Sequence, residues 1–339
     1  MKRRAGWDTH GLPIEFEIDK QYNIRSKADV MALPGGIAEY NRRCRAIVMR
    51  YTAEWESTVG RLGRWIDFRD DYKTMDPTFM ESVWWVFSQL FKKGLVYRGF
   101  KVMPYSTGCT TPISNFEAGL NYKDDIADPA VVASFPLTGT RHPSVEGPMP
   151  TFPGGIAGVE VVAWTTTPWT LPTNLALCVH PEMEYVLVRD IKTDKRRLML
   201  KARMEQLYHG LKKLASYKGG EFEELAVFRG EELRGLQYEP LFDYFTKDPR
   251  VAGQAWRILI DKYVTDDSGT GVVHQAPAFG EDDFRTCLAH GVIEKDGGVP
   301  CPLDDKGAFT EEVSDFQGMY IKDADREIIK NIKARGRLV

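Results

Sequence analysis

Long apolar runs are missing from this chain. No stretch approaches the ~20 residues needed to cross a bilayer, so no membrane span is expected. Cysteine is sparse and unpatterned. Its five copies, Cys44, Cys109, Cys178, Cys287 and Cys301, are odd in number and form no CxxC pair. That argues for a reducing compartment, and against a disulfide framework or a cysteine zinc site. A dominant charge is also lacking: 45 Lys and Arg against 48 Asp and Glu leave a net charge of −3. Any nucleic-acid contact must therefore use a local patch rather than bulk charge. Arg42, Arg43, Arg45 and Arg50 form one basic run, and Lys195, Arg196, Arg197, Lys201 and Arg203 another. Each run taken alone reads more simply as a solvated face. No apolar segment follows the basic Lys2-Arg3-Arg4, so no secretory signal is expected. Repeats and low-complexity segments are absent as well.

What remains is the composition of an ordinary soluble protein, 43% hydrophobic and 27% charged over 339 residues. That length suits two or three domains and a core that needs no metal or disulfide. Residues 1–30 read as extended or irregular, broken by Gly11 and Pro13. A helix is expected over 36–60, where Ile37, Tyr40, Cys44, Ile47, Val48, Tyr51 and Trp55 recur at three- and four-residue steps. A second is expected over 77–93, capped by Asp76, opened by Pro77 and stopped by Gly94. Its broad face of Met80, Val83, Trp84, Phe87, Leu90 and Phe91 reads as a core face. The texture changes near residue 128. Strands are expected at Val131–Leu137, Val159–Thr167, Leu175–Val179, Tyr185–Arg189, Trp256–Val264 and Gly271–Ala276. Helices are expected near 198–215, 281–290 and 323–335, the last capped by Asp323 and ended by Gly336.

Two segments carry candidate chemistry. Val159–Trp164 runs into Thr165-Thr166-Thr167 and stops at Pro168. Proline cannot donate to a ladder and extends the residue before it, so the threonines should end a strand at a cleft. There their hydroxyls can orient a water or a ribose hydroxyl, although threonine also simply favours strands. The second segment is Gly269–Phe284. It places His274 near a strand end, a Pro/Gly turn next, and Glu281, Asp282 and Asp283 in the first turn of a helix. Acidic residues there suit the helix dipole, and one of them in a cleft would suit an ammonium group. His274 is open to three readings: general base, pocket wall or neither. Gly269-Thr270-Gly271 is no phosphate loop, because no Lys-Ser/Thr follows.

At this point the residues carry a family resemblance. Trp164-Thr165-Thr166-Thr167-Pro168-Trp169-Thr170-Leu171-Pro172-Thr173-Asn174 resembles the threonine-rich peptide of the isoleucyl-tRNA synthetase editing domain. The valyl and leucyl relatives have Thr-Thr-Arg-Pro there. Gly269–Asp283 resembles the family's second editing peptide, and Gly6-Trp7-Asp8-Thr9-His10-Gly11-Leu12-Pro13 a synthetic-domain segment. The wording near 37–70 is similar to the eukaryotic cytosolic branch. Motifs beginning at Gly6 suggest a piece of a longer protein.

The resemblance implies an α/β chain with a mainly helical flanking region over 1–125 and a β-barrel-like editing domain with helices over 126–339. It implies hydrolysis of mischarged Val-tRNA(Ile) in the cytoplasm by a monomer, with a non-catalytic tRNA 3′-end binding module as the alternative. Isoleucyl enzymes are themselves the standard example of the need, since one methylene separates isoleucine from valine by only ~150-fold. Thr165, Thr166 and Thr167 would line the pocket, the latter two holding the terminal ribose and placing water. Asn174 would support the hydrolytic arrangement. His274 would block the larger isoleucine side chain, and Asp283 would pair with the substrate's α-ammonium group. Trp164, counted among the substrate-binding residues, and Trp169 would buttress the peptide, and Asp8 would be a remnant of the synthetic site. Adenosine-like or boron-containing inhibitors would fit such a pocket. Neither His-Ile-Gly-His nor Lys-Met-Ser-Lys-Ser is present, so no aminoacylation is expected from this chain. A whole family member would use ATP and Mg; the editing site calls for no cofactor. Gly108-Cys109-Thr110-Thr111-Pro112 offers one cysteine where many bacterial relatives carry several, so no metal is expected.

Overall fold

The structure is a computed structural model that describes residues 2–120, 123–204, 222–251 and 253–339. The chain divides into two compact units, Met1–Arg98 and Gly99–Val339.

The first unit pairs β1 (Arg4–Trp7) in parallel with β2 (Asp67–Lys73). Between them lie α1 (Leu12–Tyr22), α2 (Lys27–Ala32) and α3 (Gly36–Arg61), and α4 (Pro77–Lys92) follows. The start expected to be extended or irregular over 1–30 thus holds the strand β1 but is helical over half its length. Pro13 is the reason: at the first turn of α1 its missing N–H costs nothing, so it opens the helix and does not break it. The two long helices match expectation in extent but not in burial. Tyr40 and Val48 of α3 are buried, whereas Ile37, Tyr51 and Trp55 are exposed. On α4 the expected core face is bare, with Val83, Trp84, Phe87, Leu90 and Phe91 all exposed. A two-stranded sheet and short helices offer too little surface within this unit to cover both. Asp76 precedes α4 as expected, but its carboxylate takes the Lys73 N–H and no helix N–H.

The second unit opens with the short pair β3 (Tyr105–Ser106) and β4 (Thr111–Pro112) and the turn α5 (Asn115–Ala118). The boundary read at 125/126 falls inside this unit. Its main sheet has six strands: β5 (Val131–Arg141), β6 (Val159–Thr165), β8 (Glu184–Asp190), β9 (Arg196–Leu200), β10 (Phe222–Arg229) and β11 (Leu236–Tyr238), in the order β10-β8-β9-β6-β5-β11. A second sheet places β7 (Ala176–Val179) between β12 (Ile258–Ile260) and β13 (Val272–Gln275). β7 runs parallel to β12 and antiparallel to β13, with His274 opposite Leu177. All four residues of β7 are buried, as a central strand covered on both faces requires. The two sheets are joined by the isolated bridge Gln237–Arg257. The fold is α/β, as expected. The barrel-like closure is not found: among the described residues both sheets stay open.

One core runs between the sheets. Phe135, Tyr185, Leu187, Leu198, Leu177 and Tyr238 are among its fully buried members. Each such side chain contributes about 1.5–3 kcal/mol. The helix expected over 198–215 begins later than read, because Leu198–Leu200 completes β9 and the helical turn starts at Lys201; residues 205–221 lie outside the described set. The single turn α6 (Gly230–Leu233) precedes β11, α7 (Glu281–Ala289) follows β13, and α8 (Ile321–Ala334) closes the chain. Tyr320, not Asp323, is the N-cap of α8. Gly336 follows the end of α8 at φ 69°.

Candidate functional site

β6 ends at Thr165, and proline at 168 forbids its continuation. The chain then makes a 3₁₀ turn over Pro168–Thr173 and re-enters the sheets as β7. This turn brings residues three apart together. Thr167 N–H donates to Thr165 Oγ1 at 3.1 Å, and the two hydroxyl oxygens lie 3.1 Å apart. Thr170 Oγ1 lies 3.4 Å from Thr167 Oγ1 and donates to Thr167 O at 2.9 Å. Trp169 N–H is taken from outside by Asp325 Oδ1 of α8 at 2.9 Å, and the Trp169 ring meets Phe279 edge-on at 4.9 Å.

Opposite stands the Gly269–Asp283 segment. Gly269 and Gly271 have φ of 64° and 68°, and a Cβ on Gly271 would sit 2.2 Å from Leu200 Cβ. Only glycine passes there, which seats the start of β13 against β9. Trp164 covers Gly269, its ring 3.0 Å from where a Cβ would be.

Between the two segments lies a cavity of about 430 Å³. Trp164, Thr165, Thr166, Thr167, His274 and Asp283 all line it. So do Thr170, Tyr263 and Phe279, which sequence reasoning did not single out. For Thr170 the signal existed: three residues beyond Thr167, it falls in line once the segment is read as a tight helical turn. Asn174 is not in the lining. It sits behind His274, buried, with Nδ2 at 3.4 Å from His274 Nδ1 and 2.9 Å from Ala176 O. Asp8 lies directly after β1 in the first unit and takes no part in the lining.

Burial acts on the two titratable groups in opposite senses. It holds the His274 imidazole down at about 4, so the ring is neutral at pH 7. It pushes the Asp283 carboxyl up to about 6, against the opposing hydrogen bond that Ala276 N–H donates to Oδ2 at 2.9 Å. Asp283 is the one acidic side chain among the described lining residues; Glu281 and Asp282 are exposed in the same helical turn. Gly280 makes room for it, since a Cβ there would lie 2.7 Å from the carboxylate. His274 Nε2 lies 2.8 Å from Thr170 Oγ1. With Asn174 on the other side, both ring nitrogens are engaged, which leaves no lone pair free to act as a base. Of the three readings open for His274, wall is the one this geometry favours. Among the described residues no group of three His, Cys, Asp or Glu side chains gathers as a metal-ligand set.

Residues 1–296 match the family model for class I tRNA synthetases of the isoleucine, leucine, methionine and valine group. The chain belongs to that family. The chain is 53% identical to a cytoplasmic isoleucine–tRNA ligase of Mus musculus and 50% identical to that of Saccharomyces cerevisiae, over its whole length in both cases. It is 46% identical to an isoleucine–tRNA ligase of Bdellovibrio bacteriovorus. It spans only 25% of the mouse protein and 29% of the other two. Its kinship is therefore with the isoleucine branch, over part of the relatives' length. Two solved leucyl-tRNA synthetase editing domains, from P. knowlesi and P. falciparum, align over 53% of this chain and 83% and 78% of theirs, each with a TM-score of 0.37 at 11% and 12% identity. At that similarity they bear on neither site nor substrate.

Proposed function

We propose that this chain holds the site at which tRNA(Ile) mischarged with valine is hydrolysed in the cytoplasm. The observation that carries the reading is one cavity whose lining brings together threonine hydroxyls, a neutral imidazole and one carboxylate. An aminoacyl ester offers matching groups: an α-ammonium for Asp283, ribose hydroxyls for Thr166 and Thr167, and a side chain that meets His274. Thr166 is exposed, and its hydroxyl makes no hydrogen bond among the described residues, so it is free to bind. The ester is already activated. Placing a water near the carbonyl and offering hydrogen bonds to the developing oxyanion suffices, with the substrate's free ribose hydroxyl assisting the water. Asn174 acts by holding His274, not by touching substrate.

The same pocket suits adenosine-like ligands, and boron compounds that esterify two ribose hydroxyls. A second reading, a module that grips the tRNA 3′ end without cleaving it, is favoured by one observation: His274 has no free base nitrogen. Incubating the chain with Val-tRNA(Ile) separates the two. Turnover that Asp283→Ala abolishes supports hydrolysis; binding without turnover supports the module, and turnover unaffected by Asp283→Ala removes the first reading.

A further inference from the structure

The contacts that hold His274 end on a residue outside both sequence motifs. Tyr238, the last residue of β11, is 2% exposed and meets Phe135 edge-on at 5.4 Å. Its hydroxyl donates to Asn174 Oδ1 at 2.7 Å. That bond, together with the one Nδ2 donates to Ala176 O, sets which way the Asn174 amide faces. With Oδ1 accepting from the phenol, Nδ2 is turned to Ala176 O and to His274 Nδ1, and an amide NH2 can only donate. On the other side of the ring, Thr170 has given its proton to Thr167 O, so its oxygen accepts from Nε2. The imidazole is thereby held as one neutral tautomer, with the proton on Nε2. Trp256 reinforces the arrangement by donating Nε1–H to Asn174 O at 3.2 Å. Tyr238 and Trp256 are joined in turn, Tyr238 N–H donating to Trp256 O at 3.0 Å.

We propose that Tyr238 is the positioning residue that sets how this site discriminates acyl side chains by size: through Asn174 it locks the His274 ring into one tautomer and one orientation, so that the wall cannot yield. The inference rests on the hydrolytic reading above. A branched side chain one methylene larger than valine is rejected when the atoms it meets cannot move, and is admitted when they can. Tyr238 touches no substrate; it acts two hydrogen bonds behind the surface of the cavity. Phenylalanine at this position keeps the ring that packs on Phe135 and removes one of the two bonds that fix the amide, leaving the one to Ala176 O. Asn174 can then invert in part of the population, at the loss of its bond to Ala176 O, presenting Oδ1 to the imidazole, which favours the opposite tautomer and a turned ring.

The test is Tyr238→Phe in the full 339-residue chain, read two ways. Nitrogen NMR of the histidine side chains reports the tautomer of His274, assigned through His274→Gln. Deacylation of Val-tRNA(Ile) and Ile-tRNA(Ile) reports discrimination. The wild type should show a single tautomer protonated at Nε2. The variant should show a mixture, and its rate on the isoleucyl ester should rise about tenfold relative to the valyl ester, the worth of one buried hydrogen bond. A folded variant with the wild-type tautomer and the wild-type ratio of rates overturns the proposal. So does a uniform fall on both esters with the tautomer unchanged, which marks a merely structural role. If Tyr238→Phe does not fold, Thr170→Val releases the ring from its other side and should mix the tautomers in the same way. A wild-type ring protonated at Nδ1 refutes the lock without any variant. If the wild type cleaves neither ester, the hydrolytic reading fails and with it the role in discrimination, while the tautomer comparison still decides whether Tyr238 holds the ring.

Discussion

If the chain hydrolyses Val-tRNA(Ile) as proposed, lowering the pH from about 7 to about 5 is expected to slow that hydrolysis by protonating Asp283. Burial holds this carboxyl at about 6. It is then ~90% ionised at pH 7 and ~10% ionised at pH 5, so kcat/KM should fall roughly tenfold across that span. The sign follows from the ligand: only the ionised form pairs with an α-ammonium, which stays charged throughout. His274 does not share the window, because burial has driven it down to about 4. The two kinetic constants should separate. In the free chain the inflection lies near 6, but a bound ammonium favours the carboxylate, so the fall in kcat should come at lower pH than the fall in kcat/KM. Removing the group in Asp283→Ala should cost on the order of 3 kcal/mol, roughly 10²-fold, by leaving the ammonium buried without a partner. What activity remains should be flat over the same pH range. The assay is release of labelled valine, corrected at each pH for spontaneous ester hydrolysis. If the wild type and Asp283→Ala gave parallel pH profiles, Asp283 would not be the group that reads the amine.

Other perturbations test the frame around the cavity. Gly280→Ala puts a Cβ 2.7 Å from the Asp283 carboxylate, which must move; valyl ester hydrolysis should drop about tenfold while the melting temperature falls little. Gly271→Ala is different in kind, since φ is 68° and the new Cβ meets Leu200 Cβ at 2.2 Å; a loss of about 3 kcal/mol or more is expected in urea unfolding. Asp325→Ala frees the Trp169 N–H at the start of the 3₁₀ turn and should cost about 1–3 kcal/mol, with activity falling further than stability alone explains. Stability against pH should also expose the two opposed groups. The lowered His274 contributes stability present above pH 6.5 and lost as pH falls towards 4; the raised Asp283 disfavours the fold above about 6 and favours it as pH falls towards 4. Each effect is worth on the order of 2–3 kcal/mol and they nearly cancel. His274→Gln should therefore become more stable relative to wild type as pH drops from about 6 to about 4, by chemical denaturation.

The strands that frame the cavity were legible because period-2 and continuous apolar runs leave a strong signal. β5, β6, β7, β8 and β13 lie where Val, Leu and Ala cluster between Gly and Pro. The site was legible in halves. Thr165–Thr167 and His274 with Asp283 each stood out by chemistry, and their meeting follows from β7 pairing with β13, which no local pattern announces. Three things were not legible. The burial of α4 was misjudged because a helical apolar stripe says that a face seeks cover, not that cover exists within this unit. The barrel was not found because its closure depends on edge pairing among distant strands, and β12 is only three residues long, with Trp256 before it held at φ 56°. Tyr238 and Asp325 escaped notice because each reaches the site by one hydrogen bond from about 64 and 156 residues away, and a lone tyrosine or aspartate carries no pattern.

A common cause links the chemistry of the two walls. Desolvation penalises whichever form of a group is charged, so one dry cavity neutralises its histidine and at the same time raises its carboxyl. The outcomes are not equivalent. At pH 7 the imidazole is left with no charge and no free lone pair, able to exclude but not to catalyse. The carboxylate keeps most of its charge, because Ala276 N–H supports it, and among the described residues it is alone in carrying charge into the lining. On the proposed reading such a cavity would take a cation and refuse excess volume, at two places set by different elements: Asp283 by the first turn of α7, His274 by β13 with Asn174 and Thr170 behind it. Recognition of the amine and rejection of the larger side chain should therefore be separable by mutation. A variant at Asp283 ought to lower rates on every aminoacyl ester alike, and one at Tyr238 ought to change only which ester is preferred.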